Sequence, residues 1–248
     1  MKRWLLALCA CVIVQTAVAV DIDDLTFVTE EYPPVNFQQD GRLQGISVDM
    51  LEAMLISVNA EARREDIQYL PWARGYEMLQ RVPNTVLFAT TRTDAREQLF
   101  KWVGPIVLSR NVLLARRDRG ISVSSIEDLN EQELQIAVIR EDVAEQLLLE
   151  FGTGPDLIRW VASNDSAARM LHAGRIDLWA YGEDVALWRM RELGYATEEF
   201  EVVYVLDESP LYYALHLDTP DELVNTLQDA LDQLRESGEA ERILAHYR

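Results

Sequence analysis

From Leu25 onward, short apolar runs alternate with amphipathic stretches, and the gaps between them hold only a few residues. "LTFVTEEY", "DIQYLP", "NTVLFAT", "VLLARRD", "LQIAVI", "LIRWVA" and "IDLWAYG" have the length and the Val, Ile, Phe and Thr content of strands. Between them "ISVDMLEAMLISVNA", "WARGYEMLQRV", "REDVAEQLLLEF", "NDSAARMLHAG" and "EDVALWRMRELG" repeat apolar residues at helical spacing, the last two stopped by Gly174 and Gly194. Strands that alternate with helices predict an α/β protein. "YPPVNFQQDGRLQG" carries Pro-Pro and Asp-Gly, the punctuation of a loop and a hairpin. "FEVVYVLD" and "LYYALHL" predict two more strands, and the chain closes on two helices. Thr219, Pro220, Asp221 and Glu222 predict the start of the first, with threonine as N-cap and proline at the first position. No repeat or low-complexity linker interrupts the pattern, so a division into lobes has to run through ordered strands.

Residues 1–19 stand apart. Lys2 and Arg3, an apolar stretch from Trp4 to Val14, and "AVA" at Ala17–Ala19 follow the order of a secretory leader, with cleavage expected after Ala19. The stretch is shorter than the roughly 20 residues of a membrane span, and no later segment is long and apolar enough, so no membrane insertion of the mature chain is expected. Both cysteines, Cys9 and Cys11, fall inside this leader, which leaves no disulfide or thiolate site for the remainder. The formal charge of the whole chain is −19 and becomes two units more negative without Lys2 and Arg3. Such a surface excludes nucleic acid and anionic lipid as natural partners. An anionic ligand would need a local basic pocket.

The three histidines are scattered, no Gly-x-Ser-x-Gly elbow occurs, and no glycine-rich phosphate loop is present, so no metal or cofactor is expected. "ATTRTDAREQLFKWVGP", Ala89–Pro105, is different. A strand end leads into a helical turn with Thr93 as N-cap and Arg96 at the third position, where a cation opposes the helix dipole at a cost of roughly 0.3–1 kcal/mol. Two readings follow from the residues alone: Arg96 folds back onto a neighbouring acid in a weak surface pair, or Arg96, Thr91 and free backbone amides converge on a carboxylate.

Three blocks, "YPPVNFQQDGRLQGISVDML", "ATTRTDAREQLFKWVGP" and "ALDQLRESGEAERILAHYR", together resemble the periplasmic solute-binding proteins of the polar amino acid family, in that family's order. The resemblance implies an α/β two-lobe clamp, each lobe a mixed sheet flanked by helices, with two crossing hinge strands. Lobe one would comprise 20–108 and 209–248, and lobe two 109–208. It further implies that Arg96 and Thr91 hold the ligand's α-carboxylate, that Tyr32 and Trp72 sandwich the ligand, and that the second lobe contributes Tyr181 and the helix start around Asp142. The acid that usually takes the ammonium group is replaced by Gly182, followed by Glu183, and "WARG" adds Arg74 as a second possible anion contact. Under this resemblance the protein is a periplasmic monomer that hands a small carboxylate to an ABC permease or a membrane sensor. The alternative is a dehydratase-type enzyme on the same scaffold, with Glu183, Glu30 and Asp142 as the available general acids.

Overall fold

The computed structural model describes residues 20–247; the expected leader lies outside them. In chain order the elements are β1 (Thr26–Thr29), β2 (Phe37–Gln39), β3 (Arg42–Gln44), α1 (Ile46–Ser57), β4 (Gln68–Tyr69), α2 (Trp72–Arg81), β5 (Thr85–Thr91), α3 (Asp94–Glu97), β6 (Phe100–Val103) and β7 (Leu108–Arg116). There follow α4 (Ile126–Glu131), β8 (Ile136–Ile139), α5 (Val143–Glu150), β9 (Ile158–Val161), α6 (Asn164–His172), β10 (Leu178–Gly182), α7 (Glu183–Glu192), β11 (Phe200–His216), α8 (Asp221–Glu236) and α9 (Glu239–His246).

One sheet runs β4-β1-β5-β11-β7-β10-β8-β9, with β6 also paired to β11. Strands β4, β1 and β5 are parallel, as are β9, β8 and β10, while β11 and β7 run antiparallel to their neighbours. The sheet therefore has two parallel wings joined through β7 and β11. The two strands read as "FEVVYVLD" and "LYYALHL" are one strand of 17 residues. Its first part pairs with β7 as far as Pro210↔Leu108, and its last part pairs with β5 and β6. Register shifts at Val202/Tyr204, Val205/Asp207 and Tyr212/Ala214 let it change neighbours without ending. A break at Ser209-Pro210 is a fair reading of composition, but the pairing with β7 holds the chain extended through it.

Side-chain alternation explains the layers. On β1 and β5, Val28 and Leu87 face α2, where they pack with Trp72, Tyr76 and Leu79. Phe27, Val86 and Phe88 point the other way, into the core that contains Met50, Leu51, Met54 and Leu55 of α1 and Leu227 and Leu231 of α8. All seven residues of β5 and all five of β10 are buried, as expected of strands covered on both faces. In the other wing Leu113, Ile136, Val138 and Leu178 pack with Val143 and Leu148 of α5, and Leu114, Ala137 and Trp179 pack in the core with α6 and α7. The hairpin expected from "DG" joins β2 to β3, with Asp40 and Gly41 both at positive φ, the conformation a two-residue primed turn requires. Helix α8 is capped by Pro220 and begins at Asp221, one residue later than the Thr219 N-cap reading; Thr219 is buried and its carbonyl accepts from Lys101 Nζ at 2.6 Å.

Candidate solute-binding site

The two parallel wings direct the carboxyl ends of their strands at a common cleft, the usual location of ligand sites in open α/β sheets. Glu30 follows β1, Tyr69 ends β4, Thr91 ends β5, Asp142 follows β8, Ser163 follows β9 and Tyr181 lies near the end of β10. Each of these lines one of two adjoining spaces. The larger is about 380 Å³. The smaller, beside Arg96, is about 10 Å³ and is lined by Glu30, Tyr32, Trp72, Thr91, Arg96 and Asp142 among others. Glu30 and Trp72 line both.

Arg96 is 1% exposed. Its guanidinium donates from Nη1 to the Thr91 carbonyl at 3.3 Å and from Nη2 to the Glu141 carbonyl at 2.9 Å, which joins one wing to the other. It lies 5.4 Å from the Trp72 ring centre and 5.0 Å from that of Tyr76, while its buried Nε has no partner among the described residues. Burial pulls its pKa below the usual value, opposed by Tyr76 and by the negative charge of Asp142. The neighbouring acid Glu97 is taken instead by Arg92, in a two-pronged pair at 2.6 and 2.5 Å on the surface. The surface-pair reading thus fits Arg92, and Arg96 is left to turn inward.

Asp142 is 6% exposed and caps α5, its carboxylate accepting from the Ala144 N–H at 2.9 Å. Burial raises its pKa to about 6, against the helix N–H groups and Arg96. Burial likewise pushes Glu30 well above the usual carboxylate range, helped by Asp142 and Glu31 and opposed by Arg96. The loop that carries Glu30 is tied down by buried Asn36, whose Nδ2 donates to the Glu30 carbonyl at 2.8 Å and whose Oδ1 accepts from Ser47 Oγ at 3.1 Å.

Tyr32 and Tyr181 meet across the cleft with ring centres 5.5 Å apart, and the Tyr32 and Ser109 hydroxyls are 3.1 Å apart. Asn164 Nδ2 donates to the Tyr181 hydroxyl at 3.1 Å. A Cβ on Gly182 would lie 2.1 Å from the Tyr32 hydroxyl oxygen, so the tyrosine occupies the space a side chain at 182 would need. Trp72 stacks on Tyr76 with centres 5.4 Å apart and is both core and lining.

Of the residues singled out in the sequence, the structure brings Arg96, Thr91, Tyr32, Trp72 and Asp142 around one small space, with Tyr181 in the adjoining one. Two lie outside both linings. Arg74 is exposed on α2, and Glu183 pairs with Arg110 of β7 at 2.6 Å. Residues the sequence reading did not mark as ligand contacts are Glu30, which it named only as an acid of the alternative, and Tyr76, Glu31, Asn164, Asp165 and Arg189. Arg189 of α7 bridges Glu31 at 2.7 Å and Asp165 at 3.2 Å. No local motif marks these positions, since each belongs to a different element and only the fold brings them together.

A family model described as bacterial extracellular solute-binding proteins, family 3, matches residues 25–248. The chain belongs to this family. Among solved structures, this solute-binding protein is similar to a histidine kinase sensor domain with similarity to periplasmic binding proteins, at 22% identity and a TM-score of 0.76, covering 90% of this chain and 95% of that one. It is also similar to the arginine-, lysine-, histidine-binding protein ArtJ from Geobacillus stearothermophilus, at 20% identity and a TM-score of 0.71, with 90% and 94% covered. A third is an ancestral amino acid-binding protein that is a precursor of cyclohexadienyl dehydratase, at 22% identity and a TM-score of 0.70, with 90% and 94% covered. At these identities the likeness establishes the fold, that of the periplasmic binding proteins. No curated protein sequence matches the chain. Among the described residues no helix is long and apolar enough to cross a membrane, and no cluster of His, Cys, Asp or Glu is arranged to hold a metal ion.

Proposed function

We propose that this family 3 solute-binding protein binds a small carboxylate-bearing solute, an amino acid or a related compound, between two lobes that close around it, and delivers it in the periplasm to an ABC permease or a membrane sensor. The lobes are 20–108 with 209–248, and 109–208. They meet at β7 and β11, the two strands that cross between the wings. The observation that carries the reading is Arg96: a cation only 1% exposed in the cleft, anchored by carbonyls of both wings, with Nε unpartnered among the described residues. A guanidinium at such a position is suited to a carboxylate. With only about 10 Å³ beside it, a solute reaches Arg96 when the wings part and is enclosed when they close.

Titration calorimetry against amino acids and small organic acids tests this. Saturable binding by the wild type and its loss by about a hundredfold or more in Arg96→Met support the site; unchanged affinity in a folded Arg96→Met rejects it.

A second reading, a dehydratase-type enzyme on the same fold, is favoured by one observation: Glu30 and Asp142 share the cleft and both have pKa values raised by burial, as a general acid requires. Turnover of prephenate or arogenate would establish it, and tight binding of a solute without turnover would reject it.

A further inference from the structure

We propose that Glu145 is a positioning residue for the solute site: through the backbone of Glu141 it holds in place the carbonyl that fastens Arg96 to the second wing. The proposal rests on the reading that Arg96 takes the solute's carboxylate. Glu141 precedes Asp142, the N-cap of α5, and its φ is 62°. That is the left-handed region, which disfavours a residue with a Cβ and is open to glycine. A residue other than glycine stays there only when its surroundings hold it. Both backbone polar groups of Glu141 are engaged. Its carbonyl accepts from Arg96 Nη2 at 2.9 Å and, at the longer distance of 3.4 Å, from Gln146 Nε2. Its N–H donates to Glu145 Oε2 at 2.5 Å.

Glu145 is itself fixed. It is the third residue of α5 and 8% exposed, and its other oxygen, Oε1, accepts from Trp160 Nε1 on β9. The Trp160 indole is 47% exposed and carries the Arg140 guanidinium 4.9 Å from its ring centre. One carboxylate thus takes an N–H from the loop and another from the edge strand of the sheet, so it cannot swing away from Glu141 without leaving Trp160. Neither Glu141 nor Glu145 lines the space beside Arg96 or the larger cleft, so Glu145 is not itself a solute contact. Its effect passes through Arg96. With Nη1 on the Thr91 carbonyl and Nη2 on that of Glu141, the guanidinium is fixed from both sides, and Nε is left without a partner among the described residues. A donor held this way before the solute arrives loses less freedom on binding. Without Glu145 the Glu141 peptide is free to turn out of the left-handed region, and Arg96 loses its anchor on the second wing.

The test is a double-mutant cycle. Glycine adopts a φ of 62° without help, so Glu141→Gly removes the need for Glu145 while keeping the carbonyl. The standard L-amino acids are screened by thermal shift, and the one giving the largest shift is titrated calorimetrically into the wild type, Glu145→Ala, Glu141→Gly and the double variant. Glu145→Ala is expected to weaken binding about five- to twentyfold in the wild-type background, and by less than about threefold when Glu141→Gly is already present. Hydrogen exchange of the Glu141 amide in the solute-free protein is expected to be faster in Glu145→Ala than in the wild type. Where Glu145→Ala fails to fold, Trp160→Phe, which releases the Glu145 oxygen, takes its place in the cycle with an expected loss of about two- to fivefold, judged in the same way. Unchanged affinity in the folded variant, an equal loss in both backgrounds, or an unaltered exchange rate overturns the proposal while leaving the carboxylate reading intact. The equal loss would mark a structural role alone. Failure of the carboxylate reading has another signature: Arg96→Met leaves affinity unchanged, and the proposal falls with it. If no amino acid binds, both are overturned.

Discussion

At the scale of single residues, the cleft is a balance between burial and charge. Asp142 is pushed from an ordinary 3.8 to about 6 mainly by burial. A carboxylate whose folded-state pKa is raised binds more protons folded than unfolded between those two values. Its contribution to stability is therefore full below about 4 and is lost as the pH rises through about 6. Asp142→Asn keeps an N-cap acceptor for α5 and removes the charge. It is expected to match the wild type in thermal stability below about pH 4 and to exceed it above about pH 6, by up to roughly 3 kcal/mol. A stability difference that does not grow across this interval would show that Asp142 is not the group responsible. Gly182 makes a second residue-scale prediction. A methyl group there meets the Tyr32 hydroxyl oxygen at 2.1 Å and its ring carbon Cζ at 2.9 Å. Gly182→Ala is expected to lower the melting temperature by the equivalent of about 1–3 kcal/mol, and Tyr32→Phe in that background to recover part of it.

At the scale of elements, α7 closes the cleft from its outer side. Its Trp188 packs against Phe37 of β2 with ring centres 5.3 Å apart, and its Arg189 reaches Glu31 in the loop after β1. Both contacts link α7 to segments on the other side of the cleft. Arg189 is only 16% exposed, while Glu31 is 35% exposed, which discounts the pair for solvent screening. Under the proposed closure, Arg189→Ala is expected to weaken the closed state by about 1 kcal/mol. Small-angle scattering of the ligand-free variant should then report a larger radius of gyration than that of the wild type, and saturating solute should bring the two together. Equal radii without solute would mean that the bridge does not restrain closure. Much at this scale was legible beforehand. The "DG" turn between β2 and β3 and the fully buried β5 follow from local chemistry. The single 17-residue β11 did not, because Ser209 and Pro210 read as a break and only their pairing with Ser109 and Leu108 keeps the chain extended.

At the scale of the whole molecule, two parallel wings face each other across a pair of antiparallel strands, and the carboxyl ends of six strands meet at one cleft. A strongly acidic chain, at −19 overall, is thereby given one buried guanidinium at the point where the wings meet. A solute that binds only this assembled cleft must stabilise the fold. At about a hundred times its dissociation constant the gain is roughly 2.7 kcal/mol, a shift of several degrees that a thermal screen of amino acids and amines can read. The shift should disappear in Arg96→Met. A ligand whose effect persists in that variant binds elsewhere.

The alternation of strand and helix, the primed turn and the odd placement of Arg96 in a first helical turn are local properties, and the order of residues determined them. The resemblance of three blocks to one family was also legible, because it too is a linear pattern. Tertiary structure decided which charges share a space. Glu30, Asp142 and Arg96 come from three elements separated by tens of residues, so no spacing rule joins them. It also separated Arg92 from Arg96, four residues apart, by giving one a surface acid and the other the carbonyls of Thr91 and Glu141. Burial is what raises the pKa values of Glu30 and Asp142 above those of solvated carboxylates, and burial is a property of the assembled fold rather than of the residues.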